Sequence, residues 1–124
     1  MENLTPDQLR NLVEQSLDAD KAIDIETIDL RDQSAIADFM VIASGQSSRQ
    51  ISAIAEKLRD RLKSRGYEDI KLEGMDSCNW VVVDAGDIVV HLFRPEVREF
   101  YNIEKMWNAF PNVANAASLT APQQ

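Results

Sequence analysis

Asp38-Phe39-Met40-Val41-Ile42-Ala43, then Ser44-Gly45-Gln46, then Ser47-Ser48-Arg49-Gln50-Ile51: the fold turns on how this stretch is read. Its first six residues form a short, almost continuous apolar run, the pattern of a strand buried on both faces. The small residues after it make a tight turn. Ser47 and Gln50 then stand three apart, as in a capping box, and open a helix. Ile51, Ile54, Ala55, Leu58 and Leu62 follow at three- and four-residue spacing as its buried stripe. Gly66 stands where a left-handed helix C-cap is expected.

Outward from that unit, the N-terminal side holds one helix and one strand. Thr5, Pro6 and Gln8 read as N-cap, first helical residue and closure of another capping box. Leu9, Leu12, Val13 and Leu17 supply the apolar face of a helix that ends near Asp18–Asp20. From Ala22 to Leu30, Ile23 and Ile25 alternate with Asp24 and Glu26, the period of a half-buried strand, and Asp32-Gln33-Ser34-Ala35 is a turn. On the C-terminal side three strands are expected, over Ile70–Glu73, Asn79–Asp84 and Asp87–Phe93. Ala85-Gly86 joins the last two as an antiparallel hairpin. Pro95 opens a final helical segment, one kinked helix or two short ones, in which Phe100, Ile103, Trp107 and Phe110 recur at helical spacing. The expectation is an α/β (α+β) domain over residues 1–110 with a mixed five-stranded sheet and packed helices. Residues 111–124, rich in Ala, Asn, Gln and Pro and without charge, read as a disordered tail.

Composition narrows the function classes. The 124 residues carry a net charge of −8, which argues against broad binding to a phosphate backbone. An acidic protein suits a basic protein partner, because complementary potentials speed encounter. The charge is uneven. Residues 1–32 hold nine acidic against three basic side chains, whereas Arg49, Lys57, Arg59, Arg61, Lys63 and Arg65 face only Glu56 and Asp60 between Ser47 and Arg65. That basic helix face is a candidate RNA contact, and a solvated face is the plainer alternative. No apolar run approaches the ~20 residues that cross a bilayer, and Met1-Glu2-Asn3 does not begin a secretory leader. With a single cysteine, Cys78, no internal disulfide is available. A cytoplasmic protein without membrane contact is expected.

Catalysis finds little support. One histidine and one cysteine cannot build a Cys/His metal site. His91 falls on a predicted strand, on the same face as Val89 and Phe93, either as a hydrogen-bonded packing residue or as a partner contact, with no nucleophile placed beside it. The Ser44–Ser48 turn before a helix N-terminus could cradle phosphate. Nucleotidyltransferases use such a turn with two carboxylates on a following strand, but Asp69-Ile70-Lys71 puts a lysine at the second position. Asp84 and Asp87 flank a turn, where carboxylates ordinarily bond local N–H groups.

The aromatics say more. Five of the eight fall between Phe93 and Phe110, more than so small an interior can take from one segment. Phe100 and Trp107, at helical spacing, are the expected core members. Tyr101, about 100° around the helix from Phe100, then lies near the surface with Arg98, and Trp80 at the start of the hairpin is either a core residue or a third surface anchor. Tyr, Trp and Arg dominate interface energetics.

Several segments together resemble the ribosomal silencing factor (Iojap-like) family: residues 38–45, Ser47-Ser48-Arg49-Gln50, Glu73-Gly74, the run from Trp80 to His91, and Arg98-Glu99-Phe100-Tyr101 continuing to Trp107. The resemblance spans roughly Leu9 to Trp107. It implies a nucleotidyltransferase-like fold without the catalytic carboxylates, no enzyme activity and no cofactor. It also implies binding to the large ribosomal subunit through its fourteenth protein, on the intersubunit face, which blocks the small subunit and represses translation. Homodimers through an overlapping surface belong to the same expectation, and on such a partner the basic Ser47–Arg65 helix face would be a peripheral ribosomal RNA contact. Carried over, the family's binding positions fall on Trp80, His91, Arg98, Phe100 and Tyr101, with Trp80 and Tyr101 as anchors and Arg98 and His91 orienting polar contacts. Phe39, where the family commonly has Tyr, and the Asp76-Ser77-Cys78-Asn79 turn depart from the pattern.

Overall fold

The computed structural model describes residues 4–32 and 37–103. In chain order they form α1 (Pro6–Ala19), β1 (Ile23–Asp29), β2 (Phe39–Ser44), α2 (Ser48–Ser64), β3 (Lys71–Glu73), β4 (Trp80–Asp84), β5 (Ile88–Phe93) and α3 (Pro95–Tyr101). The sheet order is β1-β2-β5-β4-β3. β2 and β5 pair in parallel, and the other three pairings are antiparallel. This is the mixed five-stranded sheet expected from the sequence.

Local chemistry accounts for the element ends. At α1 the capping box is complete: Gln8 N–H donates to Thr5 Oγ1 at 3.1 Å and Thr5 N–H to Gln8 Oε1 at 2.9 Å. At α2 only half of the expected box forms. Gln50 N–H donates to Ser47 Oγ, but Gln50 Oε1 accepts from Gln46 N–H at 2.7 Å, one residue earlier than the motif requires. The reason is tertiary, since the Gln50 amide also donates to Lys21 O and so ties the turn to the end of α1. α2 closes as the sequence indicates. Gly66, at φ 99°, donates to Lys63 O and Tyr67 to Leu62 O, the paired bonds of a Schellman cap. In β1 a register shift between Ile23 and Glu26, with Asp24 at φ 51°, bends the edge strand.

Two apolar layers sandwich the sheet. α1 and α2 cover one face, where Leu9, Val13 and Leu17 of α1 meet Ile51, Ile54 and Leu58 of α2 and the odd-numbered residues of β2. Each fully buried Leu or Ile there stabilises by about 1.5–3 kcal/mol. The helices are also joined by charge: Arg61 reaches Asp20 at 2.6 Å and Ser16 Oγ at 2.7 Å. Gly45 makes the β2–α2 turn close enough for this packing, because a Cβ there would lie 2.6 Å from Ile51 Cγ1. The second layer holds Met40, Ile42, Trp80, Val82, Phe93 and Ile103, with Val97 of α3 against it.

α3 is shorter than the helical spacing of its aromatics suggests. Asn102 adopts the left-handed conformation, φ 50° and ψ 50°, and stops the helix. The phase of the apolar positions is thereby broken. Ile103 is buried, but Phe100 is 80% exposed, so Phe100 is not the core residue its spacing proposed. Trp107, Phe110 and the proposed tail from Pro111 lie outside the described residues.

Candidate partner-binding site

The β4–β5 hairpin and α3 build one aromatic cluster on the second face of the sheet. Register places Trp80 opposite Phe93 and Val82 opposite His91, so Trp80 and His91 are diagonal neighbours on one face. Arg94 N–H donates to Asn79 O at 3.0 Å and starts α3 beside the beginning of β4. That close start brings the end of α3 over Trp80. The Trp80 and Tyr101 ring centroids are 4.8 Å apart, Trp80 and Phe93 4.9 Å, and Phe100 meets Tyr101 edge-on at 5.0 Å.

Between hairpin and helix lies an open cavity of about 380 Å³, lined by Ser77, Asn79, Trp80, Glu96, Val97, Phe100 and Tyr101. Trp80, only 5% exposed, is its floor rather than a projecting anchor. Phe100 at 80% and Tyr101 at 42% exposure are its walls, and they are the only exposed large hydrophobic residues among those described. An apolar opening of this kind on a surface otherwise rich in charge is the form of a recognition site.

The polar members of the expected set face inward. Arg98 is only 12% exposed, and its guanidinium donates to Ser44 Oγ at 2.8 Å and approaches Glu26 at 3.4 Å. It therefore ties α3 to the end of β2 and to β1. His91 has no exposed surface and cannot meet a partner directly. The Trp80 indole N–H donates to His91 Nδ1 at 2.9 Å. Burial pushes the imidazole pKa down to about 4, so the ring is neutral near pH 7. Because Nδ1 accepts, the proton sits on Nε2, which has no hydrogen-bond partner among the described residues. Sequence reasoning placed His91 on the correct face but missed its bond to Trp80. It also missed Ser77, Asn79, Glu96 and Val97. The one signal for the pairing was strand alternation, which puts Trp80 and His91 on the same side once the hairpin register is known.

The alternative sites are weaker. At the Ser44–Ser48 turn, Gly45 N–H donates to Phe93 O, Gln46 N–H to Gln50 Oε1 and Gln50 N–H to Ser47 Oγ, so three donors a phosphate would use are engaged. β3 is not beside this turn as the chain order suggested. It lies three strands from β2, about 14 Å away at ordinary spacing, so Lys71 cannot act on a group held there. Among the described residues no group of three or more His, Cys, Asp or Glu side chains is placed to hold a metal. Asp84 accepts from Gly86 N–H at 2.9 Å, a local turn bond. On α2 and its C-cap Arg65, Arg61 and Lys57 pair with Asp20 and Arg59 with Asp60, which leaves Arg49, Lys63 and Arg65 without ion pairs among the described residues. No described helix is long and apolar enough to cross a membrane.

Residues 3–124 match the family model described as "Ribosomal silencing factor during starvation". A Zymomonas mobilis protein named as a ribosomal silencing factor is 57% identical over 102 residues, covering 82% of this chain and 77% of that protein. The mouse protein named for mitochondrial assembly of the ribosomal large subunit is 36% identical over 110 residues, covering 84% of this chain and 48% of its own. A crystal structure of a Chromobacterium violaceum protein superposes with a TM-score of 0.81 at 37% identity, covering 85% of this chain and 88% of that one.

Proposed function

The chain belongs to the ribosomal silencing factor family, and from that membership we propose that it represses translation by occupying the large ribosomal subunit. It binds there through the fourteenth ribosomal protein, on the intersubunit face, and its bulk prevents the small subunit from joining. The action needs no bond-making, cofactor or metal, and the protein is not an enzyme. It works in the cytoplasm, where ribosomes are assembled and joined.

The observation that carries the site assignment is the pair Phe100 and Tyr101, exposed at the mouth of the cavity floored by Trp80. Tyr101 and Phe100 are the contact anchors, while Arg98 and His91 support the site from behind. An interface of ordinary size buries about 800 Å² on each side, far more than the cavity, so surrounding surface takes part. A net charge of −8 favours encounter with a basic ribosomal protein. Arg49, Lys63 and Arg65 supply a peripheral ribosomal RNA contact. A homodimer uses an overlapping surface and therefore competes with subunit binding.

Sedimentation through a sucrose gradient with isolated large and small subunits tests the proposal. The expected outcome is co-migration with large subunits and fewer joined ribosomes as protein is added. Protein remaining at the top of the gradient, with subunit joining undisturbed, would refute it.

A further inference from the structure

We infer that His91 is a positioning residue for the aromatic site: it contacts no partner and acts by fixing the Trp80 indole through Nδ1, which sets the floor of the cavity beneath Tyr101. Its effect on partner binding rests on the function proposed above, whereas its effect on the indole does not.

Histidine is anomalous in the packing at position 91. Position 91 is fully buried between strand neighbours that are all apolar, and the histidine there leaves Nε2–H without a partner among the described residues. A buried donor left unpaired calls for an explanation. Phe would fill similar space with no such donor. What histidine supplies and an apolar side chain cannot is an acceptor, and that acceptor is in use, 2.9 Å from Trp80 Nε1.

The bond selects an orientation of the ring. Turned over about its Cβ–Cγ bond, the indole would carry its N–H to the opposite edge, away from Nδ1. A buried donor without a partner disfavours that state by roughly tenfold to a hundredfold. The indole face so fixed is the one that meets Tyr101 at 4.8 Å, and Tyr101 in turn holds Phe100 edge-on at 5.0 Å. His91 itself stacks on Phe93 at 6.0 Å and 12°, so its own ring is held by the strand it comes from. The order of support runs from β5 through His91 to Trp80, and from Trp80 to the exposed pair.

Two measurements test this. The first uses the unaltered protein without ribosomes: ¹⁵N NMR should show a coupling across the hydrogen bond between Trp80 Nε1 and His91 Nδ1 and slow exchange of the indole proton. In His91→Phe that proton should exchange faster, and His91→Gln, which keeps an acceptor, should restore part of the protection. The second is a double-mutant cycle in large-subunit pelleting. His91→Phe should weaken binding about tenfold in the parent but leave Trp80→Phe unchanged, because the effect passes through the indole. Absence of the coupling together with unchanged exchange in His91→Phe overturns the inference, whether or not the protein binds ribosomes. An equal loss on adding His91→Phe to Trp80→Phe overturns it as well. If the parent protein fails to pellet with large subunits while the NMR signature holds, the proposed function fails and the positioning role stands.

Discussion

Acidification should destabilise this protein through His91 in a window set by its burial. The folded-state pKa is about 4, against 6.5 for a free imidazole, and desolvation of the buried ring is the cause. Between those values the unfolded chain binds a proton that the folded chain refuses, so stability falls as pH falls. The contribution is complete above about pH 6.5 and is lost toward pH 4, by about 2 kcal/mol between pH 6.5 and pH 4.5. Protonation in the fold would also remove the Nδ1 acceptor and leave the indole N–H without its partner. Many carboxylates titrate in the same range, so the measurement is a difference. Urea unfolding of the parent and of His91→Phe, taken at half-unit steps from pH 7.5 to pH 4, should show the parent losing more stability than the variant as the pH drops, because the variant has no imidazole to charge. Parallel curves would refute the reasoning, since they would mean His91 titrates alike in both states.

Other consequences are as direct. Tyr101→Ala should fold, because the side chain is 42% exposed, yet weaken large-subunit binding by about 2 kcal/mol or some thirtyfold in a pelleting titration; unchanged binding would displace the contact surface elsewhere. Gly45→Ala should lower stability by about 1–3 kcal/mol through overpacking against Ile51 Cγ1, measured by denaturant melts, and should cost less in an Ile51→Ala background, which lacks that atom. Asn102→Val should cost about 1–2 kcal/mol, because a β-branched residue resists the left-handed conformation that ends α3, whereas Asn102→Gly should be nearly neutral; thermal melts distinguish them.

What the sequence disclosed and what it withheld divide along the range of the interactions. The stripe of α2, the Thr5 cap and the Schellman closure at Gly66 depend on neighbours a few residues apart, and each was legible. So was β2, whose uninterrupted apolar run could only be covered on both sides. The position of β3 was not, because chain order does not reveal that β5 inserts between β2 and β4. Phe100 misled for a local reason overlooked in the spacing: Asn102, a residue tolerant of the left-handed region, interrupts the helix and resets its phase. Gln50 had the right spacing for a capping box, but a carbonyl at the end of α1 drew its side chain elsewhere. Of the candidate site, the residue types were readable and their directions were not. Tyr101 faces outward as the helix geometry required, but Trp80 and Arg98 turn inward to partners on other elements, and the Trp80–His91 bond exists only once the hairpin register is set.

The parallel seam between β2 and β5 has a consequence for how the chain reaches this form. Phe39 pairs with Ile88 and every other pair in the seam has the same separation, so the middle of the sheet is closed by its most distant neighbours. As the chain is synthesised, β1 and β2 can meet and α2 can dock well before β5 exists. Until the β4–β5 hairpin arrives, one whole edge of β2, buried at every position in the finished fold, is unpaired. Such an edge invites pairing with another nascent chain. The seam is therefore the slow, non-local step of folding, and it is the step at which crowding of unfinished copies would do the most harm.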